Sequence, residues 1–258
     1  MHRFFLDTAT ESVPPLTTGS TLDLPAKIAH QIYKVLHLLP GEQLALLDNS
    51  GDEFVCIITR SGRSSVEVRV QEQRTSARES PVRLVLYQGL LKSARFEWIL
   101  EKGTELGVSA FVPLLCKRST AGLEEAGSSK WQRWQRIIQE ATEQCERARL
   151  PELLPVCSLP QAVQNLPEGA LALIPWEEEH HVSLRKALQA ALPERVQPPL
   201  TVLLFIGPEG GFEAEEVRLA QQHGVQPITL GSRILRAETA ALVAVSNVLY
   251  ELEERLRL

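Results

Sequence analysis

Two hydrophobic periodicities divide the chain. Up to about residue 72 the apolar positions alternate or fall in short blocks, at 41–48, 53–59 and 65–70. The turn sequences Asn49-Ser50-Gly51-Asp52 and Ser61-Gly62-Arg63 separate these blocks, a pattern that predicts a three-stranded meander. Ahead of it, residues 27–39 place Ile28, Ile32, Val35 and Leu36 on one face and predict an amphipathic helix. A small β-rich domain over 1–72 is expected. The polar stretch 73–81, ending in Pro81, has linker composition.

From Val82 the pattern changes. Apolar runs at 82–87, 110–115, 170–175, 201–206 and 226–230 alternate with helical periodicity at 94–106, 130–148, 184–192, 213–223 and 237–256. Alternation of this kind predicts an α/β domain over 82–258, with a mainly parallel sheet covered on both faces.

Composition narrows the function classes. Hydrophobic residues make up 44% and charged residues 23%, as in a globular protein with a substantial core. No apolar run approaches eighteen residues and the first residues carry no long apolar segment, so a cytoplasmic protein with no membrane partner is expected. Cys56, Cys116, Cys145 and Cys157 lack metal-ligand spacing, so free thiols and no metal site are expected. A formal charge of −5 argues against bulk attraction to nucleic acid. Local basic patches remain at Arg60, Arg63, Arg69, Arg74 and Arg78, and at Lys117-Arg118.

The richest chemistry lies in two glycine-bearing turns. The apolar run ending at Ile206 feeds into Gly207-Pro208-Glu209-Gly210-Gly211, and the next strand into Leu230-Gly231-Ser232-Arg233-Ile234-Leu235-Arg236-Ala237-Glu238-Thr239-Ala240. Two strand ends therefore present backbone to one place, where open α/β sheets bind ligands. Pro208 removes an N–H donor and Glu209 adds a carboxylate, so the first turn is a poor phosphate cradle and suits a neutral or cationic ligand.

Other polar groups have two readings each. Lys92 and Arg95 either grip a phosphate or decorate a helix start. Glu97, Glu101 and Glu105 share a helical face but read as a solvated stripe beside Lys102. Glu177-Glu178-Glu179-His180-His181 reads as solvated loop rather than a metal site.

Assembled, these residues resemble the SPOUT class of methyltransferases and, within it, the ribosomal RNA small-subunit methyltransferase E family. The resemblance rests on Gln88-Gly89-Leu90-Leu91-Lys92, on Glu101-Lys102-Gly103-Thr104-Glu105-Leu106-Gly107-Val108, on Lys117-Arg118-Ser119 and on Glu140-Ala141-Thr142-Glu143-Gln144-Cys145-Glu146-Arg147. It is strongest at the two turns, and Arg3-Phe4-Phe5 extends it to the amino-terminal domain. The resemblance implies a carboxyl-terminal trefoil knot, a PUA-like β-barrel ahead of it, a homodimer, S-adenosylmethionine as cofactor, and methylation of N3 of a uridine in the decoding region of 16S ribosomal RNA.

Carried onto this chain, it implies that the backbones of Gly207, Pro208, Glu209, Gly210, Gly211 and Gly231 approach the cofactor. Ile174, Leu230, Ile234 and Leu235 would form either its apolar walls or ordinary core, and Glu238, Thr239 and Ala240 either bind it or begin a helix. Arg236 would either stabilise the uridinate as the catalytic residue or brace the loop. Arg3, Lys92, Arg118 and Arg147 would contact RNA. His37 stands where the family usually has arginine, which leaves that helix less basic. Two other readings stay open: methylation at another RNA position such as a ribose hydroxyl, and a non-catalytic ribosome-assembly factor.

Overall fold

A computed structural model describes residues 1–6, 15–63, 65–119, 127–191 and 200–257. The chain forms two compact units, Met1–Glu79 with Thr142–Leu150, and Ser80–Ala141 with Pro151–Leu258.

In the first unit, β1 (His2–Phe5), β2 (Thr21–Asp23), β3 (Gln43–Leu47), β4 (Asp52–Ser61) and β5 (Val66–Thr75) form a sheet in the order β1-β3-β4-β5-β2. β1 and β3 run parallel and the remaining pairs antiparallel. Alternation in β5 turns Val66, Val68 and Val70 toward a core that includes Leu44, Leu46, Ile58 and Ile32. The expected meander is β3–β4–β5, whose last strand runs into the polar stretch as far as Thr75.

The predicted helix 27–39 is shorter. It comprises α1 (Ala26–His30) and a π-helical turn, Gln31–Val35, after which His37 takes a positive φ of 53° and Leu38 N–H donates to Ile32 O at 3.1 Å. Pro40 disfavours helical geometry at Leu39, and the reversal brings Leu38 into the core.

Residues 142–150 complete this unit through ion pairs. Glu146 adopts φ 61° and Arg147 N–H donates to Thr142 O at 3.1 Å, which stops the preceding helix at Gln144 rather than at the expected Ala148. Glu79 Oε1 accepts from the backbone N–H of Ala148 at 2.9 Å and of Arg149 at 3.0 Å, while Oε2 accepts from Arg147 Nη2 at 3.0 Å. Arg147 is only 7% exposed, and Arg3, 11% exposed, pairs with Glu53 and Glu146 at 3.3 and 2.7 Å. Both arginines are thus committed to carboxylates inside the unit, a structural role that the sequence reading, which gave them to RNA, did not foresee.

The second unit contains β6 (Val82–Gly89), α2 (Ser93–Leu106), β7 (Ala110–Leu115), α3 (Ser128–Gln144), β8 (Glu152–Leu153), β9 (Cys157–Ser158) and α4 (Leu159–Gln164). It continues with β10 (Leu171–Pro175), α5 (Leu184–Ala191), β11 (Leu200–Ile206), α6 (Ala214–Gln222), β12 (Gln226–Ile228) and α7 (Ala237–Arg257). Leu192, the expected end of α5, lies outside the described residues. The sheet order is β12-β10-β11-β6-β7-β8, with β9 also on β7, and every pairing is parallel.

Both sheet faces are buried. Along β11, Val202, Leu204 and Ile206 join the core under α2, α5 and α7, whereas Leu203 and Phe205 join the one under α4 and α6. Continuous apolar strands are the consequence of covering both faces. The four cysteines are free. Burial pushes the Cys56 thiol up to about 12 and also raises Cys116 and Cys157, so these three stay protonated near neutrality. Among the described residues no helix is long and apolar enough to cross a membrane.

The Glu79 clamp yields a prediction. Glu79→Ala removes the carboxylate that accepts from Arg147 and from the backbone N–H groups of Ala148 and Arg149, and is expected to destabilise the protein by about 3 kcal/mol, measured by chemical unfolding. An unchanged midpoint would show that the clamp is energetically idle.

Candidate functional site

Four strands of the second unit, β6, β11, β10 and β12, bring their carboxyl ends to one edge. β6 and β11 pair in register through Ile206 and Gln88, so Gly207 leaves the sheet beside Gly89, the last residue of β6. The approach is very close: a Cβ on Gly89 would lie 2.4 Å from Pro208 N and 2.6 Å from Gly207 C. Gln88 is buried and its side-chain amide donates to Gly89 O at 3.0 Å and to Gly207 O at 3.4 Å. Only glycine at 89 lets the first turn fold over the end of β6.

A cleft of two adjoining lobes opens at this edge. One, about 140 Å3, is lined by Trp176, Glu177, His180 and the turn from Thr229 to Leu235. The other, about 170 Å3, is lined by Glu177, the stretch from Ile206 to Phe212, and Ala237. Pro175, Glu177, Ile234, Leu235 and Ala240 line both.

Charged groups hold the turns in place. Glu209 Oε1 accepts from Lys92 N–H at 3.3 Å, which ties the first turn to the start of α2. Arg95 on that helix lies 3.7 Å from Glu209 and 3.8 Å from Glu238, so one guanidinium spans both turns. On the other side, buried Glu216 accepts from Glu213 N–H and Lys117 N–H at 2.9 Å each. Arg118 Nη1 donates to Gly210 O at 2.8 Å. Glu209 and Glu216 are satisfied by protein donors, which makes this a pocket with an anionic rim at the first turn rather than a phosphate cradle.

The loop after β10 closes the cleft. Trp176 N–H donates to Ile228 O at 3.0 Å and Thr229 N–H to Val182 O at 2.8 Å, so residues 176–182 lie against the end of β12. The three consecutive glutamates then separate by role. Glu179 caps its own turn, accepting from His181 N–H at 2.6 Å and Val182 N–H at 2.9 Å, and these donors hold its carboxyl below the usual range. Glu177 and Glu178 are both exposed, and of the three glutamates Glu177 lines both lobes, beside Gly211.

Gly207, Pro208, Glu209, Gly210, Gly211, Leu230, Gly231, Ile234, Leu235 and Ala240 are brought together around the cleft. Ile174 is not among them; it is fully buried in the core beneath the sheet, and the next residue, Pro175, reaches the cleft instead. Glu238 and Thr239 also stand apart from the lining. Glu238 faces Arg95, with its Oε2 buried and unpartnered, and Thr239 is exposed. Arg236 is exposed at the start of α7, where its carbonyl accepts from Ala240 N–H at 2.8 Å. Its guanidinium pairs with no group among the described residues.

Lys92 and Arg118 are exposed near the first turn. The stripe on α2 is paired: Glu97 with Arg133 at 2.8 Å, and Glu101 and Glu105 with Lys102 at 2.8 Å. Sequence reasoning missed Glu177, Trp176, His180 and Arg233. The available signal was that 176–181 directly follow the carboxyl end of a strand, the same rule that located the turns.

Residues 78–249 match the model of an RNA methyltransferase domain family. The chain is 33% identical to the Bacillus subtilis ribosomal RNA small subunit methyltransferase E over 98% of both chains. It is 34% identical to the Synechocystis protein of the same name, covering 91% of this chain and 75% of that one. Among solved structures it is similar to a Neisseria gonorrhoeae ribosomal RNA small subunit methyltransferase E bound to S-adenosyl methionine. The TM-score is 0.84 and the identity 29%, over 97% of this chain and 98% of that one. It is also similar to a putative Legionella pneumophila methyltransferase with bound cofactor SAM, with a TM-score of 0.79 and 34% identity over 97% of both.

The glycines at this edge differ in a measurable way. Gly89→Ala drives a Cβ into backbone and is expected to cost about 3 kcal/mol of stability. Gly231→Ala, at φ 124° with nothing within 4 Å of the added carbon, costs only backbone strain of about 1–2 kcal/mol. Equal losses in chemical unfolding would contradict the close-approach argument.

Proposed function

We propose that this chain, which belongs to the ribosomal RNA small subunit methyltransferase E family, transfers the methyl group of S-adenosylmethionine to N3 of a uridine in the decoding region of 16S ribosomal RNA. The observation that carries the reading is the cleft itself. Two strand-end turns converge there, Gly207 folds tightly against Gly211, and the lobe formed by the first turn is lined by the carboxylates Glu177 and Glu209 with no cationic side chain. A cationic, phosphate-free cofactor fits that donor set.

When bound, S-adenosylmethionine supplies an electrophilic methyl group on a sulfonium sulfur. Gly207, Gly211 and Gly231 let the backbone approach it, and Leu230, Ile234 and Leu235 supply apolar walls for its adenine. Uridine N3 must give up a proton to water before or during methyl attack, and negative charge spreads to the flanking carbonyls. Arg236, unpaired at the start of α7, stabilises that charge with a permanently protonated guanidinium.

Lys92 and Arg118 supply phosphate contacts to RNA. The first unit is a PUA-like barrel that adds RNA-binding surface, although Arg3 and Arg147 act there through the fold. The carboxyl-terminal segment is a trefoil knot, a reading supported by the placement of β12 beyond β10 while α7 returns across β6 and β11. The protein acts as a homodimer in the cytoplasm, where small ribosomal subunits are found. Exposed Trp98, Leu106 and Tyr250 on the mutually packed α2 and α7 suit a subunit interface.

Purified protein, labelled cofactor and small subunits lacking the modification should yield 3-methyluridine, detected by nucleoside mass spectrometry. Label in a ribose, or no label, would overturn the reading. Arg236→Ala is expected to lower turnover by about a hundredfold while leaving cofactor affinity within about twofold; a parallel loss of affinity would place Arg236 in the pocket.

A further inference from the structure

We infer that Glu177 is a specificity-determining residue that makes the cleft prefer the charged sulfonium cofactor over the neutral thioether left after methyl transfer. The inference rests on the reading that the cleft takes S-adenosylmethionine. Its basis is a contrast between carboxylates at the same edge. Glu209 is held by Lys92 N–H and Arg95, Glu213 by Lys117 and Arg118, Glu216 by two backbone N–H groups, and Glu179 by two more. Glu177 makes no hydrogen bond or ion pair among the described residues, yet it lines both lobes.

Its carboxylate is also brought against the first turn. A Cβ on Gly211, at φ 68°, would meet Glu177 Oε1 at 2.9 Å and Oε2 at 3.3 Å, so glycine there leaves the carboxylate bordering the cavity. In the lobe formed by the first turn, the charged side chains are Glu177 and the already paired Glu209. Arg233 and His180 line only the other lobe. The unneutralised charge of that first-turn lobe is therefore negative, and a ligand's cation gains from it what a neutral ligand of the same shape does not.

Methyl transfer breaks the carbon–sulfur bond, leaves its electron pair on sulfur and discharges the cation, so the attraction vanishes with the chemistry. A pocket built this way holds the substrate form and lets go of the product form. The effect requires the charge of residue 177, and its shape alone would not produce it.

Calorimetric titration of full-length protein with S-adenosylmethionine and with S-adenosylhomocysteine tests this directly. Glu177→Gln should weaken S-adenosylmethionine by about tenfold and S-adenosylhomocysteine by less than about twofold. Glu177→Asp should keep most of the preference, and thermal unfolding of both variants should match wild type. Equal weakening of the two ligands, or no weakening, would overturn the inference by assigning Glu177 to a group common to both or to none. If the wild-type protein bound neither ligand, the cofactor reading itself would fall, and this inference with it.

Discussion

The backbone contact between the ends of β6 and β11 is the constraint on which the rest of the site depends. Parallel pairing carries these central strands out of the sheet together, and the absence of a Cβ at Gly89 allows Pro208 to sit directly over the end of β6. That placement brings Glu209 to the amino-terminal end of α2, where Lys92 N–H and Arg95 receive it. Arg95 in turn reaches Glu238, the second residue of α7, so the second turn is tied to the same helix as the first. A shift of the first turn would thus propagate to both lobes. Interactions of this kind are individually modest at partly exposed positions, and their force lies in converging on one short loop whose backbone has no room to relax.

Electrostatics then sets what the cleft accepts. Phosphate-binding turns use free backbone N–H groups and cations, whereas here Pro208 lacks an N–H and Glu177, Glu209, Glu213 and Glu216 surround the first turn. Protein donors satisfy three of these carboxylates, and the fourth borders the cavity. Lys92, Arg118 and Arg236 stand outside the cleft lining, which separates carboxylates that attract a cationic cofactor from cations that attract RNA. An acidic chain can in this way serve a polyanionic substrate through locally placed cations.

Much of this was legible in the sequence because strand-length apolar runs and helical periodicity are strong signals. The four long strands of the parallel sheet, β6, β7, β10 and β11, the shorter β12, and the turns after β11 and β12 followed from that pattern. The misses have physical reasons. β8 and β9 have two residues each, too short for any period. α4 carried a readable capping box, Ser158 with Gln161, that was overlooked. Helices ended early where a single residue took a positive φ, at His37, shortly before Pro40, and at Glu146, where the ion pairs of Glu146 and Arg147 take over. Ile174 was placed in the pocket because apolar residues at a strand end look alike, although alternation sends its side chain into the core and Pro175 to the cleft. Arg3 and Arg147 looked like RNA ligands because sequence shows charge but not the carboxylate that neutralises it. Glu177 was hidden among three adjacent glutamates, whose different directions only the backbone decides.

The claim that the two turns form a site for a cationic, phosphate-free cofactor is tested most directly by calorimetric competition. Full-length protein should bind S-adenosylmethionine at one site per chain, and adenosine triphosphate, which shares the adenosine but adds polyphosphate, should neither release heat nor displace it. Displacement by adenosine triphosphate with comparable affinity would contradict the account, because it would mean that the carboxylate-rimmed turns cradle phosphate after all.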